Sequence, residues 1–90
     1  MELNKKLKIR NKLGLHARAA TKIVKLSNNY KSSLFLRKND QVVDGSNILS
    51  ILTLSCPKGT ELEVRIAGED SPDFMEKLSD LFEQKFGEEI

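Results

Sequence analysis

Between residues 61 and 66 the chain reads Glu-Leu-Glu-Val-Arg-Ile, charge and hydrocarbon in strict alternation. Successive side chains of an extended strand point to opposite faces, so Leu62, Val64 and Ile66 form one apolar face and Glu61, Glu63 and Arg65 a charged one. Such a strand needs cover on one side only, which favours an antiparallel or mixed sheet with its helices on one face. Pro57-Lys58-Gly59 supplies the turn before the strand and Gly68 closes it. The cover must come from amphipathic helices. Phe74, Leu78, Leu81 and Phe82 recur at i, i+4, i+7 and i+8. Ser71 is placed as N-cap of this helix, with Pro72 at the first helical position and Asp73 in the first turn; Phe86 and Gly87 mark its end.

The remaining elements follow from the same two periods. Leu3, Leu7 and Ile9 alternate with polar residues as a first strand. Ala20, Ile23 and Val24, with Ser27 one turn on, predict a helix running to about Asn28. Asn28-Asn29 would end it, because asparagine tolerates the left-handed conformation found past helix ends. Leu34-Phe35-Leu36, a turn at Lys38-Asn39-Asp40 and Gln41-Val42-Val43 read as a hairpin. Asp44-Gly45-Ser46-Asn47 gathers turn and cap residues before a short second helix. The order is β-α-β-β-α-β-α, an α+β arrangement. Ninety residues suffice for one core, so residues 1–90 read as a single domain.

Composition narrows the function. There is no apolar run of membrane-spanning length and no signal-peptide core at the N-terminus, so the reading is a cytoplasmic protein with no membrane partner. Cys56 is the only cysteine, which excludes an internal disulfide; it reads as a small semi-buried hydrophobe. With one histidine and one cysteine the usual zinc ligand sets cannot be assembled, and no metal or cofactor is called for. Residues 1–38 hold eleven Lys/Arg and one acidic residue, whereas residues 39–90 hold four Lys/Arg and twelve Asp/Glu. A basic N-terminal half draws in acidic partners and phosphorylated groups. Nucleic acid is not among them, because the net charge is only +2 and no aromatic platform interleaves with the lysines.

That basic half contains Gly14-Leu15-His16-Ala17-Arg18-Ala19-Ala20, with the only histidine of the chain. His16 falls at or just before a helix N-terminus, where backbone N–H groups lack intrahelical partners and the helix dipole is positive. Such an end suits a phosphate group, and the backbone N–H groups of Ala17 and Arg18 are the candidates to meet it. Gly14 lets the chain turn sharply into the helix. The imidazole carries a nucleophilic nitrogen, and Arg18 a planar cationic fork matched to phosphoryl oxygens. A lone histidine before a helix is equally compatible with a surface residue or a simple cap.

The run Leu13–Ala20 resembles the active-site signature of HPr, the histidine phosphocarrier family of the bacterial phosphotransferase system. The resemblance extends over nearly the whole chain, including the Lys58-Gly59 turn and the apolar segment Ile48–Leu54; the tail from Leu81 to Glu89 is more similar to NPr, the nitrogen-branch member. Ala19 stands where the family usually has proline, a change that loosens the helix start without touching the chemistry. The resemblance implies an open-faced β-sandwich: a four-stranded antiparallel sheet in the order 1-4-2-3 with three helices on one face. It also implies a phosphoryl relay rather than a stand-alone enzyme. His16 would accept a phosphoryl group at Nδ1 from enzyme I, charged by phosphoenolpyruvate, and pass it to an EIIA-type domain through transient contacts, the carrier acting as a monomer. An NPr-like regulatory carrier, or a binding module that does not feed sugar transport, is the alternative.

The segment Ile48-Leu49-Ser50-Ile51-Leu52-Thr53-Leu54 has more apolar residues than one helix face can bury. Ile51 and Leu54 can face the core with Ile48 at the boundary, leaving Leu49 and Leu52 on an adjoining face; a short helix buried nearly all round is the other option. By resemblance Ile48, Leu49 and Leu52 form a partner-docking patch with Arg18, Thr21 and Lys25 of the first helix. Some family members carry a regulatory serine at this helix start. Here Asn47 occupies that position and Ser46 lies one residue earlier, where its hydroxyl is expected to serve as N-cap.

Overall fold

The computed structural model describes residues 1–90. The elements are β1 (Glu2–Lys8), α1 (Ala17–Ser27), β2 (Ser33–Lys38), β3 (Gln41–Asp44), α2 (Ile48–Leu52), β4 (Glu61–Ala67) and α3 (Ser71–Glu83), followed by a 3-10 turn at Lys85–Gly87. The strands form one antiparallel sheet in the order β1-β4-β2-β3. The alternating strand is therefore central. It pairs with β1 from Glu61–Lys8 to Ala67–Glu2 and with β2 from Glu63–Arg37 to Ala67–Ser33.

One face of this sheet is dry. Leu62, Val64 and Ile66 of β4, Leu34 and Leu36 of β2 and Leu7 of β1 join Ala19, Ala20 and Ile23 of α1, Ile51 of α2, and Phe74, Met75, Leu78 and Phe82 of α3 in a continuous core. Burying a side chain of this size stabilises the fold by roughly 1.5–3 kcal/mol. The opposite face stays polar: the Arg37 guanidinium pairs with its cross-strand neighbour Glu63, and Arg65 lies 4.5 Å above the ring of its neighbour Phe35.

Two helix ends differ from the sequence reading. Asn28 caps α1 in the right-handed region, its N–H still donating to the Val24 carbonyl (3.0 Å), and neither Asn28 nor Asn29 has a positive φ. The left-handed asparagine is Asn39 (φ 54°), in the β2–β3 turn. At the start of α3 the N-cap position belongs to Asp70, and Ser71 lies inside the helix. Asp70 makes no side-chain cap. Its carboxylate instead accepts the backbone N–H groups of Lys31 (2.9 Å) and Ser32 (3.0 Å) and the Ser32 hydroxyl, tying the α1–β2 connection to α3. Tyr30 reinforces the tie, stacking on Phe74 at 4.5 Å while its hydroxyl donates to Asp73.

The Ser32 hydroxyl, with the Lys31 N–H, holds the Asp70 carboxyl below its ordinary value of 3.8. The stability this group contributes is complete above that value and lost as pH falls through the lower folded one. Asp70→Asn is therefore expected to lower the thermal midpoint at pH 7 and to flatten the further decline between pH 4 and pH 2. Melting curves read by circular dichroism across that range check this, and an unchanged acid limb would contradict it.

Candidate functional site

The approach to α1 is built by close backbone packing. Gly14 sits at φ +74°, and a Cβ there would lie 2.5 Å from the Cys56 carbonyl oxygen. The same carbonyl accepts the Leu15 N–H at 2.8 Å. A side chain at position 14 would push the turn off this contact. Leu15 is buried, so the next residue turns outward at the helix mouth. His16 is the N-cap of α1, extended at φ −84° and ψ 179°, with its carbonyl accepting the Ala20 N–H at 2.9 Å.

The cap is made by imidazole in place of the usual hydroxyl or carboxylate. Nδ1 of His16 accepts the Arg18 backbone N–H at 3.3 Å. The neighbouring Ala17 N–H makes no hydrogen bond within the chain, as expected of a first helical residue. The other ring nitrogen, Nε2, meets the carboxylate of Glu88. Burial pushes the Glu88 carboxyl up, but hydrogen bonds from Asn11 and His16, with the Arg18 charge nearby, outweigh it and hold the group below its ordinary value. A carboxylate can only accept here, so Nε2 carries the ring proton. Nδ1, accepting from Arg18, is then the nitrogen with the free electron pair. Both contacts select one tautomer.

Glu88 reaches the site because the tail folds back. Phe86 is fully buried, 5.0 Å from Phe82. The Lys22 ammonium donates to the Phe86 carbonyl, and Lys12 N–H to the Ile90 carbonyl at 3.0 Å. Lys85 (φ 57°) and Phe86 (φ 56°) are both left-handed, a conformation costing roughly 1–2 kcal/mol per non-glycine residue, which burial of the Phe86 ring offsets. Asn11, fully buried, bridges tail and loop: its Nδ2 donates to the Gly14 carbonyl at 2.7 Å and to Glu88 at 2.9 Å. Both partners are acceptors, so the amide cannot be turned round, and its Oδ1 is left as the one buried side-chain polar atom without a partner. The Asn11 and Glu88 contacts were not read from the sequence. The only signal was Phe86, an aromatic residue past the amphipathic helix that needed cover.

The predicted site residues lie at the start of α1, along α1 and on the neighbouring α2. Arg18 is exposed, and its guanidinium makes no ion pair within the chain. Thr21, half-buried, donates its hydroxyl to the Ala17 carbonyl at 2.8 Å, and Lys25 is exposed one turn further on. Helix α2 packs beside α1. Ile51 and Leu54 point into the core, Ile48 and Leu52 are half-buried, and Leu49 is 76% exposed, so the helix is not buried all round. Ser46 is not the α2 N-cap. Asn47 is, its Oδ1 accepting the Ser50 N–H at 3.0 Å, while the Ser46 N–H and hydroxyl both bind Asp44. Position decides it: Ser46 lies one residue too early to reach the first free N–H groups. The basic half does not stay isolated either, since Arg10, His16 and Arg37 pair with Glu83, Glu88 and Glu63 of the acidic half.

Two surface hollows, one lined by Tyr30, Ser32 and Phe35 and the other by Arg37, Asp40 and Glu61, do not include His16. No helix is long and apolar enough to cross a membrane.

The family profile described as "PTS HPr component phosphorylation site" matches residues 3–84. The phosphocarrier protein HPr of Neisseria meningitidis serogroup A is 40% identical over 86 residues, 96% of this chain and 97% of the relative. The chain belongs to the HPr family. It carries that family's histidine-phosphorylation domain of the phosphotransferase system. A crystal structure of HPr-C-His from Thermoanaerobacter tengcongensis matches with a TM-score of 0.93 at 32% identity, covering 98% of this chain and 99% of that one. The HPr-like protein Crh of Bacillus subtilis is 34% identical over 77 residues, 86% of this chain and 91% of the relative. These HPr-family likenesses span the sheet and all of its helices, as expected of an open-faced α+β sandwich with strand order 1-4-2-3.

The two sides of α2 differ in energetic weight. Ile51→Ala is expected to lower the free energy of unfolding by about 2–5 kcal/mol, and Leu49→Ala to change it by less than about 0.5 kcal/mol. Urea denaturation measures both; equal losses would show that Leu49 is part of the core.

Proposed function

We propose that this protein is a phosphocarrier that takes a phosphoryl group on Nδ1 of His16 from enzyme I, itself charged by phosphoenolpyruvate, and delivers it to an EIIA-type domain. The observation that carries this reading is the placement of Nδ1 at the mouth of α1, unprotonated and beside the first helical N–H groups. The step is a transfer between two nitrogens. The bond from phosphorus to the donor nitrogen breaks as the bond to Nδ1 forms, and positioning with charge stabilisation supplies the catalysis. In this reading the N–H groups of Ala17 and Arg18 and the Arg18 guanidinium meet the phosphoryl oxygens. Ile48, Leu49 and Leu52, flanked by Thr21 and Lys25, form the docking surface: an exposed apolar cluster with a polar rim, suited to brief contacts of modest area. In this reading residues 1–90 act as one domain, a monomeric carrier in the cytoplasm.

A regulatory role without sugar transport is the second reading, favoured by the 34% identity to an HPr-like protein, Crh. It shares the phosphoryl chemistry and differs in the acceptor. Assay against purified sugar-branch and regulatory-branch EIIA domains separates the two.

His16→Ala is expected to abolish labelling from phosphoenolpyruvate and enzyme I while leaving the circular dichroism spectrum unchanged. Retained labelling would refute the assignment. Arg18→Ala removes a charge-assisted contact of about 1.5–3 kcal/mol and should slow transfer roughly 10- to 100-fold. Unchanged rapid-quench rates would make the guanidinium a bystander.

A further inference from the structure

An imidazole ring offers two nitrogens to a phosphoryl donor, and nothing in the ring's own chemistry restricts attack to one of them. In this protein the two are unequal. Nδ1 faces the helix mouth, where the Arg18 N–H lies at 3.3 Å. Nε2 faces Glu88, whose side chain is only 10% exposed and whose other oxygen is held by Asn11 at 2.9 Å. The tail bearing Glu88 is not a loose end. Phe86 anchors it in the core, Lys22 holds the Phe86 carbonyl, and Lys12 N–H holds that of Ile90.

We propose that Glu88 is a positioning residue that takes the Nε2–H of His16, closes that nitrogen to phosphoryl donors and so confines the reaction to Nδ1. The inference rests on the carrier reading above and adds to it the source of regioselectivity. It acts in two ways. The proton on Nε2 occupies that nitrogen's in-plane electron pair, which is the nucleophile. The carboxylate also repels an incoming phosphoryl group along the same line. After transfer the Nε2 proton stays on the ring, and the cationic phosphoimidazole faces the Glu88 charge. Asn11 is the support: by donating to both the Gly14 carbonyl and Glu88 it locks the tail carboxylate to the loop that carries His16.

The test uses phosphoramidate, a small donor that needs no protein partner. Nδ1 attacks phosphorus, the phosphorus–nitrogen bond of the reagent breaks with its electron pair, and ammonia departs, leaving the phosphoryl group on the ring. Coupling between 31P and 15N in ring-labelled protein identifies which nitrogen is modified. The unmutated protein is expected to give the Nδ1 isomer alone. Glu88→Ala should admit the Nε2 isomer as a major product, at least a tenfold rise in its share. Glu88→Asp, which keeps two acceptor oxygens for Asn11 and His16 on a chain one methylene shorter, should hold the Nε2 share below that of Glu88→Ala. Amide spectra confirm that Phe86 still anchors the tail in both variants. If Glu88→Ala is modified at Nδ1 alone, or Glu88→Asp is as unselective as Glu88→Ala, the role of Glu88 is overturned while the carrier reading stands. If the unmutated protein accepts no phosphoryl group at His16, both fall.

Discussion

Burial of one face of the sheet under its helices is the constraint on which the other features depend. Leu62, Val64 and Ile66 lie in an interior strand, so lifting the helices off the sheet would expose their apolar row to water. That cost fixes where α1 begins relative to the sheet, and with it the position of His16. The helix mouth is thus set by packing many residues away from the chemistry, which is how a site with a few exposed groups can keep a constant geometry.

The loop between β1 and α1 converts that rigidity into a reactive orientation. Gly14 lets backbone touch backbone at Cys56, Leu15 turns inward, and His16 is left as the cap. A capping hydroxyl would satisfy the same amide but could not carry a phosphoryl group at neutral pH with comparable lability. Using the imidazole as the cap couples helix formation to ring orientation. Leu49 stays exposed on a helix that Ile51 anchors, so its side chain is apolar surface that the core does not need.

Local patterns were legible where a single element settles the matter. The β4 alternation, the α3 apolar stripe and the split faces of α2 each follow from a period and a composition, and each has the burial those periods imply. Caps were less legible, because several residues in a row can do the same job. Ser46 and Ser71 both lie beside the true cap positions, Asn47 and Asp70, and the choice depends on a one-residue shift in where the helix begins. Asp70 was further disguised, since its carboxylate serves the α1–β2 connection and not its own helix.

By itself the sequence determined the α+β order of elements, the apolar faces that must meet, and a histidine followed by free helical amides, because these depend on neighbours a few residues apart. Only the tertiary structure decided what the second nitrogen of that histidine touches. His16 and Glu88 are separated by 72 residues, and Asn11 and Glu88 by 77. No local period links such positions; the back-folded tail, pinned by Phe86, brings them together once the core has closed.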